Sequence, residues 1–121
     1  MRYMMLIYSR EEPINSEQEK GIALRHRAVM NESKGRGIFH GAEPLQPTTT
    51  AVTVRKTGNG KVLATDGPFT ETKEQLAGYY ILDCETIDEA IEWASKIPTG
   101  CQGGEGCIEI RPIRTIKVAV D

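Results

Sequence analysis

Arg2-Tyr3-Met4-Met5-Leu6-Ile7-Tyr8 is the stretch whose alternation decides the fold. Successive side chains of a strand point to opposite faces, so Tyr3, Met5 and Ile7 lie on one side and Met4, Leu6 and Tyr8 on the other. Both sets are apolar, and both faces of this strand therefore need cover. The run is too short to cross a bilayer and has no small-residue cleavage site, so it reads as a strand and not as a signal peptide. A second strand of the same kind is expected over residues 76–84, where Tyr80 and Leu82 oppose Tyr79 and Ile81.

Between these two strands the pattern changes period. Ser16-Glu17-Gln18-Glu19 is a capping-box sequence, and Ile22, His26, Val29, Met30 and Ser33 then share one helical face. Gly35 and Gly37 supply the stop. Residues 37–42 read as a short strand and residues 43–47, with two prolines, as a turn. Residues 51–56 and 61–65 are β-branched runs on either side of Thr57-Gly58-Asn59-Gly60, a strong hairpin signal. Residues 70–75 are expected to form one helical turn. Thr86-Ile87-Asp88-Glu89 opens a second helix whose buried stripe is Ile87, Ala90, Ile91, Ala94 and Ile97, with Trp93 at its edge and Pro98 and Gly100 at its end. A glycine-rich loop over residues 103–106 leads to a last strand over residues 107–113, and a short peripheral tail follows.

The order strand, helix, strands, strand, helix, strand predicts an α+β domain. It is a ferredoxin-like split βαβ layout with an added hairpin, over residues 1–121 as one domain. The 121 residues suffice for a core without staples, since a chain of this size buries roughly two-thirds of its unfolded surface. A net charge of −2 excludes both backbone-neutralising nucleic-acid binding and a disordered acidic chain. No apolar run is long enough for a membrane. Three cysteines (Cys84, Cys101, Cys107) without a framework or zinc spacing read as reduced thiols of a cytoplasmic protein. Neither a metal nor an organic cofactor is expected.

Two helices cover one face of a four-stranded sheet and leave the other bare. The simplest remedy for a bare apolar face is a second copy packed sheet to sheet in a homodimer, with a ligand cavity between the sheets. In the last strand, Ile108, Ile110 and Pro112 alternate with Glu109 and Arg111. If the first set faces the helices, Glu109 and Arg111 stand on the bare face. There they are either an ion pair across the dimer or the polar floor of a pocket.

The other candidates divide in the same way. Asp66-Gly67-Pro68-Phe69 reads as a turn, with the Asp66 carboxylate folded onto backbone N–H groups and Phe69 anchored in the core. Its functional alternative makes Asp66 a proton acceptor at a strand end. His26 reads as a satisfied core or interface histidine, since no partner for it is visible in the sequence. His40, Glu43 and Glu71 fall near the same strand ends, as solvated surface or as additional ligand contacts. Of the adjacent tyrosines only one can line the inter-sheet cavity. Tyr80 is the choice, because Gly78 on its face leaves room for a ligand or a closely approaching chain.

Asp66-Gly67-Pro68-Phe69, followed by Glu71-Thr72-Lys73-Glu74-Gln75-Leu76 and then Gly78-Tyr79-Tyr80, resembles the DGPF-type branch of the YCII-related proteins. Gly41, Glu43, Leu45 and Pro47 carry the same resemblance, as do the Asp88-Glu89-Ala90 helix with Trp93-Ala94 and Ile97-Pro98, and Glu109-Ile110-Arg111-Pro112-Ile113. The resemblance runs over nearly the whole chain. It implies a bacterial, cytosolic protein whose ferredoxin-like fold pairs as a dimeric α+β barrel. A suggested His–Asp dyad, and a fold shared with muconolactone isomerases, imply acid–base lyase or isomerase chemistry on a small organic molecule. Asp66 is the aspartate candidate and His26 lies in the helix that would supply the histidine. The association of this branch with extracytoplasmic-function sigma factors implies the alternative, a non-enzymatic accessory protein with a sigma-factor partner.

Overall fold

The doubly apolar first stretch forms β1 (Arg2–Ser9) and takes a central place in a four-stranded antiparallel sheet. A computed structural model describes residues 1–99 and 106–117, so Gly100, Cys101 and most of the 103–106 loop lie outside the described residues. After β1 come α1 (Ser16–Gly35), β2 (Phe39–Pro44), β3 (Val52–Lys56), β4 (Val62–Asp66), β5 (Gln75–Asp83), α2 (Ile87–Lys96) and β6 (Gly106–Pro112). The main sheet has the order β2-β5-β1-β6, and β3 pairs with β4 in a separate two-stranded ribbon. Two helices with this strand order make a ferredoxin-like α+β fold.

Register sorts the sheet into two faces. Tyr3 lies opposite Leu82 and Pro112, Met5 opposite Tyr80 and Ile110, and Ile7 opposite Gly78 and Ile108. This set packs with Val29 of α1 and with Ala90 and Trp93 of α2, where Met5, Leu82 and Ala90 are fully buried. The other set pairs Met4 with Ile81 and Arg111, and Leu6 with Tyr79 and Glu109. These apolar side chains are only half-buried.

Local chemistry explains the helix limits. Asn15, one residue before the expected serine, caps α1: its side-chain oxygen accepts from the Gln18 N–H at 2.8 Å, and the Gln18 side chain accepts from the Asn15 N–H at 2.9 Å. In α2 the Thr86 hydroxyl accepts from the Glu89 N–H. The buried residues of α2 are Ala90 and Trp93, and Ile97 just past its end is buried too. Ile87 and Ile91, expected inside, are about half exposed. The large indole sets this rotation: Trp93 turns to the core, and Lys96 Nζ lies 4.6 Å from its ring centroid.

Three further expectations change. Residues 70–75 form no helical turn, and a single 3₁₀ turn appears instead at Thr48–Thr50, after Pro47. Phe69 is 73% exposed and anchors nothing in the core. The turn before it is held by two hydrogen bonds: the Gly67 N–H donates to Ala51 O, and the Thr53 hydroxyl donates to Gly67 O, both at 2.7 Å. Gly67 has φ +100°, a conformation that side chains resist. Gly78 leaves no room for a ligand. A Cβ there would lie 2.7 Å from Glu43 O, so the glycine lets β2 approach β5.

Candidate functional site

The structure joins two residues that the sequence offered separately. His26, on the sheet side of α1, and Tyr80, on the covered face of β5, meet with Nδ1 2.7 Å from the phenol oxygen. The Tyr80 hydroxyl also lies 3.3 Å from the His26 carbonyl, and the two rings stack with centroids 5.8 Å apart. Either tautomer makes the short contact a hydrogen bond, and Nε2 takes no part in it. Burial lowers the His26 pKa, with Arg25 acting in the same direction, so the imidazole favours its neutral form. Burial alone pushes Tyr80 up to about 12. The pair is a hydrogen-bonded link between helix and sheet.

This placement corrects the reading of Tyr80. Its side chain is 2% exposed and points to the helices, so it does not line a cavity on the bare face. Tyr79 stands on that face, opposite Leu6 and Glu43. The helices cover the side on which Tyr80 finds a buried hydroxyl partner, and no alternation pattern states which side that is.

On the open face, three polar groups gather around β1 and β6. The Tyr8 hydroxyl donates to Glu109 Oε1 at 3.3 Å, diagonally across the two strands. Partial burial, with the Glu109 carboxylate beside it, raises the Tyr8 pKa. Arg111, two residues along β6, lies opposite Met4 and makes no ion pair among the described residues. Glu109 and Arg111 thus stand on the face expected for them, and they do not pair with each other. Tyr8 was missed as a functional group, although the alternation of β1 already placed it on this face.

The remaining candidates are dispersed. His40 sits at an irregularity of the β2–β5 pairing, with Nε2 3.8 Å from Asp83 Oδ2. The same Asp83 carboxylate accepts from the Met1 ammonium at 3.0 Å, which holds it below the usual carboxylate range. Glu43 is exposed on β2, and Glu71 is exposed in the segment before β5. Asp66 ends β4 on the separate ribbon. Its carboxylate makes no bond of the expected turn type, and no hydrogen bond or ion pair joins it to His26. Among the described residues, no group of three or more His, Cys, Asp or Glu is placed to hold a metal ion. No helix there is long and apolar enough to cross a membrane.

Fold and face together define a ferredoxin-like α+β chain with the buried Tyr80 bonded to a half-buried His26 on the covered side of its sheet and a Tyr–Glu–Arg group on the other. The model of the YCII-related domain matches residues 1–117, and the chain belongs to that family. An uncharacterised protein of Rhizobium meliloti (strain 1021) is 33% identical over 120 residues, covering 97% of this chain and 95% of the relative.

Proposed function

We propose that the chain pairs with a second copy through the open sheet face and binds a small organic acid in the cavity between the sheets. The observation that carries this reading is Arg111. It is a guanidinium without an ion-pair partner among the described residues, on a half-buried apolar face, beside a carboxylate already engaged by a phenol. A guanidinium in such surroundings is suited to hold a carboxylate by two parallel N–H···O bonds. Glu109 stands on the same face, two residues from Arg111 along β6, with the Tyr8 hydroxyl bonded to it. A carboxylate accepting from a phenol is a pair able to take up and return a proton, the chemistry of an isomerase or lyase on a small acid.

Ligand binding tests this reading. The chain is titrated calorimetrically with a panel of two- to six-carbon mono- and dicarboxylic acids. Saturable binding of at least one acid is expected, with its loss in Arg111→Leu while the circular dichroism spectrum is kept. The reading fails if no acid of the panel binds, or if binding is unchanged in Arg111→Leu.

A further inference from the structure

The β3–β4 ribbon lies outside the core of its own chain. Val52, Val54, Val62 and Leu63 are each more than half exposed. A lone two-stranded ribbon is marginal in water and needs something to pack against. Its register puts Val52 opposite Asp66, Val54 opposite Ala64, and Lys56 opposite Val62. These residues share one face, an apolar centre with an acid at one end and a base at the other.

The open face of the main sheet has the matching composition. Met4, Leu6, Tyr79 and Ile81 form its apolar centre, and Glu109 and Arg111 supply one acid and one base along β6. The Asp66 carboxylate and the Arg111 guanidinium are each without a hydrogen-bond or ion-pair partner among the described residues. They stand far apart in the topology. The ribbon leaves the sheet at the β2–β5 margin, whereas β6 is the strand at the opposite margin. The strands between them span about 14 Å at ordinary strand spacing.

We infer that each ribbon reaches across the paired sheets and lays its valine face along the β6 margin of a second copy, bringing Asp66 against the partner's Arg111. The occupant is a second copy because a charge that complements Asp66 stands on this chain's own sheet, at the margin opposite the one the ribbon leaves. The inference rests on the dimer proposed above and adds that the site is built from both chains. A guanidinium has five N–H donors. One edge can face Asp66 while the other stays available for a ligand carboxylate, so Asp66 is a positioning residue.

Charge reversal and mixing test this. In Asp66→Arg dimers two cations meet at both contacts, and in Arg111→Asp dimers two anions do. Each variant alone should dimerise more weakly than the parent by on the order of a hundred-fold, measured by sedimentation over a dilution series. Mixed in equal amounts, the two variants regain an acid–base pair at both contacts, and a heterodimer near parental strength should form. Both sites are exposed, and circular dichroism establishes folding. If either reversal disturbs it, Asp66→Lys and Arg111→Glu repeat the cycle. A parental dimer unmoved by the reversals, or no recovery on mixing, overturns the crossing ribbon and leaves the dimer standing. A parental chain that stays monomeric overturns both.

Discussion

The two faces of the main sheet carry side chains of similar size and hydrophobicity in different surroundings. On one, Met5 and Leu82 have no exposed surface, because α1 and α2 lie over them. On the other, Met4, Leu6, Tyr79 and Ile81 are only half-buried. Apolar content alone does not say which face is the core. The face with helices above it forms a packed interior in which a hydroxyl must find a partner, and Tyr80 finds His26. The open face tolerates Glu109 and Arg111, whose side chains still reach water.

Substitutions at matched positions break this comparison in different ways. Leu82→Ala on the covered face should cost about 2–5 kcal/mol, the same at every protein concentration, because the cavity lies inside one chain. Urea unfolding at two concentrations checks it. Gly78→Ala is next: the new Cβ would run into the Glu43 carbonyl, so β2 must shift, at about 1–3 kcal/mol in the same assay. Tyr80→Phe leaves the His26 ring without its partner and should cost about 1–2 kcal/mol.

Leu6→Ala, the open-face counterpart of Leu82→Ala, should cost about 1 kcal/mol in the isolated chain. Under the dimer proposal the cost rises with protein concentration. A cost equal to that of Leu82→Ala at all concentrations would mean that the two faces do not differ.

The smallest expected effect is a pH dependence from His26. Burial holds its folded pKa below the ordinary value of about 6.5, so the unfolded chain takes up the proton first as pH falls. Stability carried by the neutral ring is complete above that value and is lost as pH falls through the lowered folded value. His26→Gln should flatten the stability profile as pH falls below about 6.5. The loss at lower pH should remain, because Asp83 and Glu32 are held below the usual carboxylate range and become protonated only there.

Much of this arrangement was legible in residues taken singly. The alternation in β1 and in Cys107-Ile108-Glu109-Ile110-Arg111 separates the two faces correctly, because side-chain direction in a strand depends only on parity. The turn at Thr57–Gly60 gives the ribbon by the same local logic. The candidate site was less legible. His26 and Tyr80 are 54 positions apart, and no periodicity records that α1 crosses β5 at that point. Phe69 and the α2 stripe were misjudged for a related reason. Hydrophobicity says that a side chain gains from burial, whereas burial also requires a surface there to receive it. Around Phe69 the chain is bonded to the ribbon, and in α2 the indole of Trp93 took the inward position.

The sequence by itself determined the order of elements, the pairing of like faces along each strand and the presence of two helices, since these follow from short-range periodicity and capping. The tertiary structure decided which face the helices cover, that Gly78 admits β2 and not a ligand, and that Tyr80 meets a histidine and Tyr8 a glutamate. Those outcomes depend on contacts between residues distant in the chain, where packing volume and hydrogen-bond satisfaction choose among arrangements that local pattern leaves equal.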